Sequence, residues 1–333
     1  MAVRRRQLLV FALAGAAFPC AGPARSQVRP RRIGVLQFAG GMMNRDKPGG
    51  MAFIAAMKEL GYVEGRDYLY DEHLWPSPEL AVATARELVD AKPDLIIAAG
   101  PPSIVAARAA TRRIPIVMMY SAEPVALGIV KSLSRPGGNI TGLAWDHGFE
   151  TSVKTLEILK EAMPKLRRAA VLWDGSDSVH PRYAAYFDLG SAQRQLELVS
   201  LELRRPADIE PAFQRLRRER AEALVVLPSG QITIPHGRAI MDLAVRGRHP
   251  TLVNYVGREK EFPGAFLFYG PNLSRMPRRA AAYVDRIFKG AKPAEIPVEQ
   301  PDKYDLIVDA AAARGIGLAL PQSLLLRADQ VIG

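Results

Sequence analysis

The chain has 333 residues, 48% hydrophobic, 24% charged and 7% aromatic, a globular composition that excludes a disordered or fibrous class. The formal charge is +11, but Arg4, Arg5, Arg6 and Arg25 fall in the first 26 residues and the other cations are interspersed with acids, as at Arg218-Glu219-Arg220, so no nucleic-acid face is predicted. The single cysteine, Cys20, excludes a disulfide framework and a cysteine metal site, and the length exceeds one average core, which predicts two lobes of about 120–150 residues.

The chain opens on an export pattern. Arg4, Arg5 and Arg6 form a positive n-region, and Leu8 to Phe18 is an apolar run too short to span a bilayer core of about 30 Å. Ala24-Arg25-Ser26 offers the small-x-small site that signal peptidase accepts, which predicts a cleaved signal over residues 1–26 and a mature start at Gln27. Arg5-Arg6-Gln7-Leu8-Leu9 looks like a twin-arginine signal, with the general secretory route as the alternative. Ala17-Phe18-Pro19 is too bulky and rigid for a lipoprotein box ahead of Cys20. No later apolar stretch reaches membrane-spanning length. The mature protein is therefore expected to be soluble, in the periplasm.

The mature chain then alternates short apolar runs with amphipathic segments. Ile33 to Phe38 reads as a buried strand, Gly50 to Leu60 as a helix stopped by Gly61, and Tyr68 to His73 as a second strand. Ser77-Pro78 supplies a cap and first-turn proline for a helix through Val89. Leu95 to Ala99 is a continuous apolar run, as in parallel sheets covered on both faces, and a helix begins after Gly100-Pro101-Pro102-Ser103. Ile116 to Met119 repeats the pattern, and Pro136-Gly137-Gly138-Asn139 turns into the strand Ile140 to Leu143.

A second series follows. Helices are predicted around Val153–Met163, Tyr183–Leu196, Ile209–Leu216, Ile240–Leu243 and Met276–Ile287, with strands at Ala169–Trp173, Leu198–Leu203, Ala223–Leu227, Thr251–Asn254 and Phe266–Tyr269. Two successive βαβ series of four or five strands each imply an α/β protein of two doubly wound, Rossmann-like lobes with helices on both faces of each sheet. Ligands bind such sheets beyond the carboxyl ends of the strands. The candidate binding loops are therefore 37–44, 100–103, 120–123, 174–178, 228–231 and 255–259.

Catalytic signatures are nearly absent. The chain carries no G-x-S-x-G elbow, P-loop or H-E-x-x-H, and its five histidines stand too far apart for a local metal motif. Gly315-Ile316-Gly317 lacks the third glycine of a dinucleotide fingerprint and reads as a helix-ending turn. No catalytic residue, metal or cofactor is assigned. An α/β hydrolase or glycosyltransferase using cleft carboxylates such as Asp174, Asp177 and Glu259 stays open as the rival.

Several segments carry a resemblance: Leu60-Gly61-Tyr62-Val63-Glu64-Gly65-Arg66, Ser134-Arg135-Pro136-Gly137-Gly138-Asn139-Ile140-Thr141-Gly142, Tyr269-Gly270-Pro271-Asn272, Gly290-Ala291-Lys292-Pro293-Ala294 with Pro297-Val298-Glu299-Gln300-Pro301, and the tail Pro321-Gln322-Ser323-Leu324-Leu325-Leu326-Arg327-Ala328-Asp329. In order and over nearly the whole chain, they resemble the bacterial ABC-transporter substrate-binding proteins related to TrpX-type tryptophan- and phenylalanine-binding receptors. The loops depart from that family's pattern: Gly100-Pro101-Pro102-Ser103 stands where G-T-P-A is usual, Ala122-Glu123-Pro124-Val125 where G-D-P-V is usual, and Trp173-Asp174-Gly175-Ser176 replaces W-N-P-x. The framework thus points to the class while the identity of the solute is left open.

The resemblance implies the type I periplasmic-binding-protein fold. Its first lobe would be 27–143 with part of 267–300, and its second 144–266 with part of 301–333. Crossovers are implied near 141–148, 264–271 and 299–303. It implies a monomeric receptor that clamps a small solute, an amino acid or an aromatic or amide-type compound, and delivers it to the permease of an ABC importer. A periplasmic sensor feeding a membrane kinase is a further alternative. Helix N-termini at Ser103, Glu123 and Ser176 would offer backbone N–H groups to a carboxylate or carbonyl. Gln37 lies in the first strand-end loop. Ser103, Ser121, Ser176 and Ser229 would add hydroxyls, unless they are plain caps. Tyr120, Trp145 and Tyr255 would stack on a ring, unless they pack the core or hinge. Glu123 and Asp174, with Asp146, would favour an amine-bearing solute, although Glu123 and Asp174 read as readily as solvated or hinge-capping residues.

Overall fold

The computed structural model describes residues 29–145, 148–177, 179–301 and 303–333. The export signal expected over residues 1–26 and Asp146 lie outside them. Among the described residues the strands form two sheets. The first holds β1 (Arg31–Phe38), β2 (Tyr68–Trp75), β3 (Leu95–Ala99), β4 (Ile116–Ser121) and β5 (Ile140–Ala144) in the order β2-β1-β3-β4-β5, all parallel. The helices α1 (Pro48–Glu59), α2 (Ala81–Asp90) and α3 (Pro101–Ala110) connect them.

The apolar run of β3 is continuous because each of its faces is covered. Leu95 and Ile97 share a core with Phe53 and Met57 of α1, whereas Ile96 and Ala98 join Leu88 of α2 and Ile104 of α3. All of these side chains are fully buried. Such two-sided burial is what a parallel sheet requires.

The second sheet holds β6 (Arg168–Asp174), β7 (Glu197–Leu203), β8 (Ala223–Val226), β9 (Thr251–Val253), β10 (Leu267–Pro271), β11 (Tyr304–Asp309) and β12 (Gln330–Ile332) in the order β12-β11-β10-β9-β8-β6-β7. Its pairings are parallel except for β10 with β11. The helices α4 (Phe149–Ala162), α5 (His180–Gln193), α6 (Ile209–Arg218) and α7 (Gly237–Arg246) serve this lobe. The sheet is larger than the four or five strands expected, because β11 and β12 come from a C-terminal return that the sequence reading leaves without strands. Between them, α9 (Ala310–Gly315) ends at the Gly315-Ile316-Gly317 turn, followed by α10 (Gln322–Arg327).

The chain passes between the lobes at three places. The first follows β5. The second follows β10, which carries the chain in the second sheet as far as Pro271, later than the 264–271 crossing expected. There α8 (Met276–Phe288) returns to the first lobe and packs on α1, with Arg278 paired to Glu59 and the Tyr62 hydroxyl donating to Asp285 at 2.9 Å. The third crossing runs from Glu299 into β11.

The first and third crossings are laced together: Ala144 N–H donates to the Glu299 carbonyl at 2.8 Å, and Glu299 N–H to the Gly142 carbonyl at 3.0 Å. Gly142 itself stands at φ +134°, where a β-carbon would come within 2.2 Å of the Met118 carbonyl oxygen in β4. Only glycine suits that backbone and that approach. We expect Gly142→Ala to lose about 3 kcal/mol or more of unfolding free energy, because it meets fixed backbone on both counts. Urea unfolding followed by circular dichroism measures this, and a loss below about 1 kcal/mol would contradict the close packing.

Candidate functional site

The carboxyl ends of the two sheets face each other and enclose a cavity of about 130 Å³. One water needs about 10–15 Å³ on the same measure, so the space suits a guest of roughly ten non-hydrogen atoms, a single small metabolite. From the first lobe, Gln37 and Phe38 reach it from the end of β1 and Met42 from the loop that follows, Gly100 and Pro101 from the end of β3, and Tyr120 and Ala122 from the end of β4. Trp145 lines it from the first crossing. From the second lobe come Asp177, Val179, His180 and Tyr183, then Leu227 to Gly230 after β8, and Arg258 after β9. Every contributing loop follows a strand end or a crossing, as the topology of open α/β sheets dictates.

The expected residues divide into two groups. Gln37, Tyr120, Trp145 and Ser229 are brought together on the cavity wall. Gln37 is buried and also braces its own loop: Met43 N–H donates to its Oε1 at 3.0 Å, and its Nε2 donates to Asn44. Tyr120 adopts a left-handed backbone, φ +59°, at the end of β4. Its hydroxyl is buried and has no hydrogen-bond partner among the described residues. Burial pushes that phenol far above its usual range, with the Arg258 guanidinium acting in the opposite direction. An unsatisfied hydroxyl in a protein interior costs about 1–3 kcal/mol, so this one is a natural point for a guest to engage. The Ser229 oxygen accepts from Ile232 N–H at 3.1 Å and Thr233 N–H at 3.2 Å, capping the turn that follows β8.

Ser103, Ser121, Glu123, Asp174, Ser176 and Tyr255 stand off the wall. Ser103 sits inside the first turn of α3, which begins at Pro101, and its Oγ accepts from the buried Trp75 indole at 2.9 Å. Ser121 is buried at the end of β4, with its hydroxyl unpartnered among the described residues. Asp174 is fully buried and caps the turn before α5, its Oδ1 accepting from Ser176 N–H at 2.9 Å and from the Ser176 hydroxyl. Ser176 is thereby held two residues down the loop, ahead of the helix at His180. Tyr255 packs edge-on against Phe262, and its hydroxyl donates to Glu261 at 3.4 Å.

Glu123 begins a run of turns, since no helix starts there. Its carboxylate reaches across to the second lobe, where Arg182 donates to one oxygen and the Tyr186 hydroxyl to the other at 2.8 Å, both from α5. Pairing with Glu123 raises the Arg182 guanidinium further above its ordinary value. Burial first, and this same hydrogen bond second, raise the Tyr186 phenol. Glu123 is thus a bridge between lobes at the cavity margin.

Among the wall residues not anticipated are the rings of Phe38 and Tyr183 and two polar groups, His180 and Arg258. His180 accepts from Asp174 N–H at Nδ1 (3.0 Å) and meets the Pro228 carbonyl through Nε2 (3.1 Å), so it knits two strand-end loops together. Arg258 presents a guanidinium that is 20% exposed and is held by Glu261 at 2.5 Å. The 255–259 loop was among the candidate loops, but Arg258 itself was not singled out. Among the described residues no group of histidines and carboxylates is arranged to hold a metal.

A mostly apolar cavity between two α/β sheets is the geometry of a two-lobed receptor. The pattern of the ABC transporter substrate binding protein family matches residues 32–332. The chain belongs to that family. A curated relative, the tyrosine-binding protein of Clostridioides difficile, is 26% identical over 275 residues, covering 80% of this chain and 75% of that protein. Among solved structures, a conserved domain protein from Vibrio cholerae matches with a TM-score of 0.82 at 24% identity, and an ABC domain in complex with L-Trp from Streptococcus pneumonia with 0.81 at 20%. Each covers 91% of this chain and 100% of its own. The fold is that of the type I periplasmic binding proteins, and the family member captures solute for an ABC transporter.

The Glu123 bridge forms only when the lobes approach. We expect Glu123→Ala to weaken closure by about 1–2 kcal/mol, one charge-assisted hydrogen bond plus a half-exposed ion pair. Small-angle scattering of the variant should give a larger radius of gyration than the wild type at equal ligand. An unchanged profile would show that Glu123 does not hold the lobes.

Proposed function

We propose that the solute of this ABC importer receptor is an amino acid or another small compound built on an aromatic body, held between the lobes without chemical change. The observation that carries this reading is the wall itself. Phe38, Tyr120, Trp145 and Tyr183 surround a space of single-metabolite size, with few polar groups to fix orientation. The relatives named for tyrosine and for L-Trp support the same solute class. Gln37, Tyr120, Trp145 and Ser229 are the expected contacts that belong to this wall. Because loops of both lobes reach the guest, binding favours the closed form, and a permease would receive the closed complex.

The absence of turnover belongs to the same proposal. His180 is engaged at both ring nitrogens by backbone groups, and Asp174, which caps its turn through Oδ1, stands off the cavity wall, so neither is placed as an acid or base at the cavity. We further propose export by the leader over residues 1–26 and action in the periplasm as a monomer. No helix among the described residues is long and apolar enough to cross a membrane.

The test is a thermal-shift screen of the mature protein with L-tyrosine, L-tryptophan, L-phenylalanine, benzoate and benzamide, followed by calorimetry and recovery of the solute. At about 1,000 times the dissociation constant a true ligand stabilises the folded state by about 4 kcal/mol. We expect at least one member of the panel to do so and to be recovered intact. Conversion of the solute would sink the receptor reading, and no shift with any of them would sink the solute class.

A further inference from the structure

We propose that Arg258 is the specificity-determining residue of the cavity and that it selects solutes carrying a carboxylate on an apolar body. This rests on the reading of the cavity as the solute site. Arg258 follows β9 in the second lobe, on a shaped turn and in a side-chain ion pair. Gly257 stands at φ +102° and turns the strand end, and its N–H donates to the Glu259 carboxylate at 2.6 Å. Glu261, one helical turn beyond, pairs with the guanidinium at 2.5 Å and also accepts from Tyr255.

The braced guanidinium faces an apolar room. It lines the cavity beside Leu273 and Ile234, with Met42 and Tyr120 contributed by the opposite lobe. The buried Tyr120 hydroxyl, which no described residue satisfies, is within electrostatic reach of it. One cation and one orphan hydroxyl thus stand among groups that offer a ligand little but surface. A planar guanidinium presents several donors in a fork that fits a carboxylate, and its ion-pair partner among the described residues is Glu261. A neutral guest of the same shape would close the cavity over the arginine and displace water from it without returning an anion. Both guests displace that water, but only the acid returns an anion to the donors that Glu261 leaves open, which makes the device a selector.

The remaining charge on the wall is Asp177, which accepts from Val179 N–H at 2.9 Å and caps that turn. The carboxylate is therefore the shared requirement, whether the solute is a zwitterionic amino acid or a simple acid.

The experiment measures matched acid and amide pairs by calorimetry: L-tyrosine with L-tyrosinamide, and 3-(4-hydroxyphenyl)propionate with its primary amide. The wild type should favour the acid by about 30-fold or more in at least one pair. In Arg258→Gln that ratio should fall to near unity, while Arg258→Lys should keep part of it. An arginine that only stabilised its loop through Glu261 would lower the melting temperature of Arg258→Gln and leave the ratio intact. That result, or an amide bound as tightly as its acid by the wild type, overturns the proposal while leaving the receptor reading in place. Failure of every compound to bind overturns this proposal together with the proposed solute class. The pair that responds also tells whether the ammonium is needed.

Discussion

Everything about the cavity depends on how the chain gets from one sheet to the other. Three crossings join the lobes, and two of them lie side by side as short extended segments, bound through Ala144, Glu299 and Gly142. The second is tied in the same manner, Leu273 N–H donating to the Val256 carbonyl at 3.1 Å just beyond β10. Because the crossings leave at strand ends, the carboxyl edges of both sheets must face one another. The loops that follow the strands then have only the space between to occupy. Closure needs a change of backbone angles at these few positions and no repacking of either core, which is how hinged lobes move cheaply. Trp145 stands on the first crossing and also on the cavity wall. A guest that packs on it touches the element that moves.

Most of the framework was legible because two-sided burial writes itself as continuous apolar runs. Leu95-Ile96-Ile97-Ala98-Ala99 needs no neighbour to be recognised, and β1, β4, β6 and β8 share that character. The C-terminal strands escaped for the opposite reason. In β11 an apolar triplet is flanked by Asp305 and Asp309, and β12 is a largely exposed edge of three residues. Pairing with β10, a tertiary fact, makes a strand of β11. The second crossing was placed too early for a related reason, since the end of a strand in its sheet is set by its partners.

For the site, position was legible and direction was not. The strand-end rule located loops that line the cavity, yet a side chain's heading depends on rotations of the backbone that periodicity does not report. Ser103 follows Pro101 by only two residues, but on a helix that separation turns it away from the cavity to Trp75. Glu123 looked like a helix start and is instead a strut to α5, because the two residues that engage it, Arg182 and Tyr186, are remote in sequence. Tyr120 was foreseen as a ring contact; its left-handed backbone was not, and strain of that kind at a strand end is commonly found at binding sites.

The strut formed by Glu123 raises a question of balance. It lies at the cavity margin, so whatever it contributes to closure is there with or without a guest. A strong tie of this kind would hold the empty receptor shut and bar entry, while a ligand can shift the lobes only by the difference in its affinity for the two forms. Arg182 is 45% exposed, and in that setting an ion pair is worth about 0–1 kcal/mol. The Tyr186 hydrogen bond to the less exposed side of the same carboxylate adds more, but it too is a single contact. A tie of this size brings the closed form within thermal reach and still leaves the decision to the guest, which on the proposed reading spans Tyr120 of the first lobe and Arg258 of the second and so completes its contacts only when both surround it. Strength placed at the margin would have made a trap; placed on the cavity wall, it makes closure report occupancy.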